Sequence, residues 1–119
     1  MAKRIEDFTI KENRRLNNDL FILELSGNSY LPSLKPGQFA QIKIDGSPET
    51  FLRRPISIHD VDYERNTIKF LVQIAGKGTK RLSNLKPGET LNVIYPLGNS
   101  FNLPPENAKV LLIGGGCGV

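Results

Sequence analysis

Arg53-Arg54-Pro55-Ile56-Ser57 gathers more chemistry into five residues than any other stretch of the chain. Arginine presents a planar fork of N–H donors that matches the oxygens of a phosphate. Pro55 fixes its own φ and stiffens the backbone that carries the fork. Ser57 adds a hydroxyl on the same stretch. The same five residues would also make an edge strand with two solvated arginines. A second group is Gly76-Lys77-Gly78-Thr79. Small residues let backbone N–H groups approach an anion, and a helix start adds a favourable dipole there. Lys77, Lys80 and Arg81 add positive charge. The alternative is a glycine turn in which Thr79 simply caps a short helix. The phosphate reading gains weight if this turn folds near Arg54.

Other candidates carry less. Pro96-Leu97-Gly98-Asn99-Ser100-Phe101 reads as a loop with an anchoring aromatic. Gly114-Gly115-Gly116-Cys117-Gly118 is either a tight turn or the pyrophosphate turn of a dinucleotide site. Cys117 is read as a packed small residue rather than a reactive thiol. His59 stands beside Asp60, but no Ser or Cys nucleophile at motif spacing accompanies it, so a turn histidine is expected. The carboxylates are scattered. With one cysteine and one histidine, the chain cannot build a zinc finger or a four-cysteine iron–sulfur site.

These groups need elements to hold them. Alternation of period two marks six short strands, around Phe8 and Ile10, Leu20 to Leu25, Phe39 to Ile44, Ile56 and Ile58, Ile68 to Ile74, and Leu91 to Tyr95. Pro36-Gly37 and Pro87-Gly88 supply two turns of the same chemistry. Between them, Thr79 is expected to cap a short helix with Leu82 and Leu85 facing inward. Six strands of this kind predict an all-β antiparallel barrel with one short helix. After Pro104-Pro105 the pattern changes. Val110-Leu111-Leu112-Ile113 is a continuous apolar run that predicts a buried parallel strand, and the glycine-rich turn follows it. The chain is therefore expected to divide into a barrel domain, residues 1–103, and the start of a truncated α/β domain, residues 104–119.

Composition agrees with a folded domain. The 119 residues are 39% hydrophobic and 24% charged, which excludes a disordered chain. No run approaches the roughly 20 apolar residues of a membrane-spanning helix, and no apolar stretch follows the N-terminus. A cytoplasmic location without membrane association is the default expectation. The net charge of +4 permits a phosphate-bearing ligand or nucleic acid. Nucleic-acid binding by a basic barrel, through Lys77, Lys80, Arg81 and Lys86, is an alternative. It is disfavoured because only 8% of residues are aromatic and none is Trp.

Taken in order, Arg54-Pro55-Ile56-Ser57, Leu71-Val72-Gln73, Gly76-Lys77-Gly78-Thr79, Pro96-Leu97-Gly98-Asn99-Ser100-Phe101 and the final glycine cluster resemble the ferredoxin–NADP reductase superfamily. The likeness runs over residues 5–119. Within that superfamily it leans toward the electron-transfer subunits of NAD-linked dihydroorotate dehydrogenases. The resemblance implies a six-stranded Greek-key barrel that binds FAD, followed by a nicotinamide-binding α/β domain. It implies that Arg54 holds the FAD pyrophosphate, that Ser57 lies by the isoalloxazine, that Pro55 and Ile56 belong to the same FAD-binding stretch, and that Leu71, Val72 and Gln73 meet the flavin and ribityl chain through their backbone. Gly78 and Thr79 would cradle phosphate, and no residue of this chain is assigned a catalytic role. The implied partner is a catalytic dihydroorotate dehydrogenase subunit. Flavin subunits of a sulfhydrogenase or of an NADH-dependent ferredoxin–NADP reductase are the implied alternatives. Many members carry Tyr where Ile56 stands. NAD and a [2Fe–2S] cluster are implied only for a longer protein, of which these residues are expected to be a fragment.

Overall fold

The computed structural model describes residues 3–44 and 52–116. Among these residues, seven strands and one helix follow in the order β1 (Arg4–Arg15), β2 (Leu20–Ser26), β3 (Phe39–Ile42), β4 (Arg54–Ser57), β5 (Asp60–Asp62), β6 (Thr67–Gln73), α1 (Lys77–Ser83) and β7 (Thr90–Leu97). They form one sheet in the order β4-β3-β7-β1-β2-β6-β5. Every pairing is antiparallel. β7 returns across the sheet to lie between β3 and β1, a Greek-key connection.

The connectivity forces this sheet to curl. β4 and β5 lie at its opposite ends, yet only Ile58 and His59 separate them in the chain. The three steps from Ser57 to Asp60 span at most about 11 Å, so the two edges must approach. The backbone bonds record the switch. Ile58 N–H donates to Gln38 O at 3.1 Å, continuing the β3 side, and His59 N–H donates to Lys69 O at 2.9 Å on β6. The result is a barrel with a seam between β4 and the end of β6.

Inward-pointing residues of the alternating strands fill the interior. Phe8, Phe21, Phe70 and Tyr95 are fully buried, with Ile10, Leu23, Leu25, Ile42, Ile68 and Val93 around them. Phe8 meets Tyr95 edge to face, ring centroids 5.2 Å apart. Burying each such side chain contributes about 1.5–3 kcal/mol. Both Pro-Gly turns behave as expected, with Gly37 at φ 99° and Gly88 at φ 95°.

Two expectations need correction. The barrel has a seventh strand, β5, where six were expected. Asp60-Val61-Asp62 has only one apolar residue and no readable period, but pairing with Thr67–Lys69 makes it a strand. The expected buried strand at residues 110–113 does not form: all four residues are exposed and unassigned to any element. A parallel strand needs neighbours to pair with, and no described residue pairs with this run. Gly114, Gly115 and Gly116 are likewise exposed, while Cys117 and Gly118 lie outside the described residues.

Candidate functional site

The barrel seam is a cleft of about 600 Å³. One wall is residues 55–59, the other Leu71, Val72 and Gln73, with Ala75 and Thr79 closing one end. Both walls are sheet edges. β4 pairs with β3 on one side only. β2 covers β6 along its whole length, whereas β5 covers it only from Thr67 to Lys69. Beyond Lys69, β6 has no strand on its seam side among the described residues. The backbone there is placed to bond a ligand in the way an edge strand bonds another strand.

Arg54 opens β4, half-buried, paired with Ile42 of β3. Its Nη1 donates to Leu52 O at 2.6 Å. Its guanidinium stem lies against Gly78, at the second position of α1. A Cβ on Gly78 would come within 2.8 Å of Arg54 Nε and 3.2 Å of Ile44 Cδ1. The glycine is buried, and its missing side chain is the space Arg54 occupies. The two groups that sequence could only hope were neighbours are in van der Waals contact.

Thr79 caps the helix, but from inside it. Gly76, with extended backbone, is the N-cap, and Thr79 is the third helical residue. Its Oγ1 accepts from Ala75 N–H at 2.8 Å and Gly76 N–H at 3.1 Å, and donates to Gly76 O at 3.2 Å. This reach-back is the second half of a capping box, with glycine replacing the usual Ser or Thr at the cap. The far end of α1 is tied to the barrel. Leu82 is fully buried, and Asn13 Nδ2 donates to Leu82 O at 3.0 Å and Leu85 O at 2.8 Å.

Strand alternation separates the remaining residues. Pro55 and Ser57 are exposed on the cleft wall, and Leu71 and Gln73 share the outer face of β6. Val72 is buried. Ile74 N–H donates to Asp19 O and Lys69 O accepts from His59 N–H, so by alternation the Val72 backbone faces β2 while the Leu71 and Gln73 backbones face the seam. Ile56 is 9% exposed and belongs to the hydrophobic core. It contributes to the cleft floor rather than standing out as a platform. His59 is the exposed link of the seam. Ile58 and Ala75 also line the cleft, and sequence reading passed over both. Their only signal was adjacency to the motifs.

The Pro96-to-Phe101 loop anchors elsewhere. Phe101 N–H donates to Pro36 O at 2.8 Å, and its ring packs over Gly37. It borders a second cavity of about 410 Å³ that shares Ile58 and His59 with the seam. Lys77, Lys80, Arg81 and Lys86 surround a third hollow, of about 700 Å³, which shares no lining residue with the seam. Among the described residues, no group of three or more His, Cys, Asp or Glu side chains could hold a metal ion. No helix among them is long and apolar enough to cross a membrane.

A Greek-key barrel whose seam sets an arginine strand against a Gly-Thr helix start is the architecture of ferredoxin reductase-like FAD domains. The chain belongs to that class: residues 7–102 match the oxidoreductase FAD-binding domain family. Among curated proteins, it is 37% identical over 118 residues to the electron transfer subunit of dihydroorotate dehydrogenase B (NAD(+)) of Fusobacterium nucleatum, covering 98% of this chain and 46% of that protein. It is 36% identical over 116 residues to the corresponding subunit of Geobacillus kaustophilus, covering 96% and 45%. The chain thus spans about half the length of these relatives. Among solved structures, the ferredoxin reductase in carbazole 1,9a-dioxygenase superposes with a TM-score of 0.82 at 27% identity, over 99% of this chain and 37% of that one. The NADH-dependent reduced ferredoxin–NADP oxidoreductase gives 0.71 at 29%, over 80% and 34%.

Proposed function

We propose that this chain holds FAD in the barrel seam as the flavin module of an electron-transfer subunit. In the longer protein it passes electrons between a dihydroorotate-oxidising partner subunit and NAD, by way of a [2Fe–2S] cluster carried outside these residues, in pyrimidine biosynthesis. The observation that carries the reading is the contact of Arg54 with Gly78, which puts a phosphate-binding fork at a helix start beside two open strand edges. The names of the relatives supply the partner and the nicotinamide.

Each residue then has a task. Arg54 pairs with the pyrophosphate, and such a charge-assisted bond is roughly twice as strong as a neutral one. The α1 start at Gly78, shaped by Thr79, takes the remaining phosphate oxygens through backbone N–H groups. Ser57 offers its hydroxyl to the isoalloxazine, flanked by Pro55 and with Ile56 beneath. Leu71 and Gln73 meet the flavin and its ribityl chain through the seam-facing backbone of β6, with Val72 between them completing the wall. FAD itself supplies the electron chemistry when bound, and the chain supplies position and electrostatics.

Two experiments test this. Purified chain mixed with FAD and passed through gel filtration should keep its flavin absorbance, and Arg54→Ala should lose it. Equal retention by both would refute the site. With the full-length protein and its partner subunit, dihydroorotate should bleach the flavin absorbance. A flavin bleached by reduced ferredoxin or NADPH but not by dihydroorotate would shift the assignment to the related reductases, of which the NADH-dependent reduced ferredoxin–NADP oxidoreductase is one.

A further inference from the structure

β4 is a weak place to mount a phosphate-binding arginine. It has four residues, lies at a sheet edge, and includes Pro55, which donates no hydrogen bond. What steadies it comes from the residue before. Arg53 sends its fork away from the seam, past β3 to β7. Its Nη1 donates to Asn92 O at 3.3 Å and Gln41 O at 3.4 Å, and its Nη2 donates to Asn92 Oδ1. Asn92 is held in turn, its Nδ2 donating to Asp7 Oδ1 at 2.8 Å on β1, while its carbonyl also accepts from Lys43 N–H at 2.9 Å. Arg53 and Arg54 are adjacent, yet one is fixed in a network across three strands and the other touches α1.

We propose that Arg53 is a positioning residue for FAD. Its clamp on Asn92 of β7 fixes the start of β4, so that Arg54 meets the pyrophosphate in the right place. Arg53 itself contacts no ligand. The inference rests on the proposed role of Arg54 and adds a coupling between that arginine and a network on the opposite side of the strand. It explains why two arginines stand together when only one faces the helix.

The test is a double-mutant cycle read by FAD affinity, with riboflavin, which lacks the pyrophosphate, as the comparison ligand. Arg53→Gln should weaken FAD about tenfold, and leave riboflavin binding unchanged. Combined with Arg54→Ala it should add little, because both variants remove one contact. Asn92→Ala cuts the same clamp from the β7 side and should reproduce the effect, which keeps the test open should Arg53→Gln fold poorly. Arg53→Lys, which keeps charge without the fork, should not restore affinity. FAD affinity within twofold of the native chain in folded Arg53→Gln or Asn92→Ala would overturn the proposal. So would an equal loss for riboflavin, or full additivity with Arg54→Ala. If Arg54→Ala itself keeps full FAD affinity, the reading of the site fails instead, and the two failures are distinct.

Discussion

Replacing Gly78 with Ala separates folding from binding more cleanly than any other substitution in this barrel. The added methyl would sit 2.8 Å from Arg54 Nε, 3.3 Å from Arg54 Cζ and 3.2 Å from Ile44 Cδ1. All three atoms are far along flexible side chains, so the fold can yield at small cost. No positive φ penalises alanine at this position. Gly→Ala inside a helix is favourable by up to about 1 kcal/mol, which offsets the displacement. The apo chain should therefore melt within about 4 °C of the native one, since 1 kcal/mol shifts a domain of this size by roughly that much. FAD binding should behave otherwise. The guanidinium must leave the helix start, and a hydrogen bond to a charged group is worth about 1.5–3 kcal/mol. That predicts FAD affinity weaker by about 10- to 150-fold. Quenching of flavin fluorescence reads the affinity, and thermal unfolding of the apo chain reads the fold. A Gly78→Ala chain with native melting and FAD affinity within twofold of the original would refute the geometry argued for Arg54.

Three further outcomes follow from structure away from the seam. Asn66 adopts φ 57° while its side chain accepts from Leu31 N–H and donates to Gly27 O and Ser29 O. Asn66→Ala should cost about 2–3 kcal/mol in urea unfolding, and Asn66→Gly, which relieves only the backbone strain, should recover part of it. Burial, with the neighbouring Glu6, pushes the Tyr95 phenol above its ordinary range. The folded chain then holds a proton that the unfolded chain releases from about pH 10, so stability should fall as pH rises past 10. Tyr95→Phe should flatten that alkaline decline in unfolding measured between about pH 8 and 11. Asn13→Ala frees the carbonyls at the end of α1. It should lower stability by about 1–2 kcal/mol, with hydrogen exchange in α1 accelerated more than in β1.

Much of this was legible in residue types. The strands announced themselves by alternation because one face of each is buried, and Ile68 to Ile74 is the clearest case. The Pro-Gly turns were readable because φ chemistry is local. Arg54 and Gly78 were visible as candidates for the same reason. Their contact was not, because it depends on how the sheet closes. That closure rests on β5, three residues whose pairing comes from β6 and not from their own composition. Thr79 was read as a cap, but its place at the third helical residue was hidden because glycine stood where a side-chain cap normally does. Residues 110–113 show the converse: an apolar run signals a buried strand only where a partner is present to bury it. Arg53 looked like a duplicate of Arg54, since nothing local tells which of two adjacent arginines faces a ligand. Register with β3 and β7 decides that.

The most direct measurement is a backbone amide NMR titration of the isotope-labelled chain with FAD. If the seam is the site, the largest shifts fall on Arg54, Ser57, Leu71, Val72, Gln73, Gly78 and Thr79, while β1, at the middle of the sheet order and so furthest from the seam, stays still. Shifts concentrated instead around Lys80, Arg81 and Lys86, or none at saturating FAD, would contradict the account.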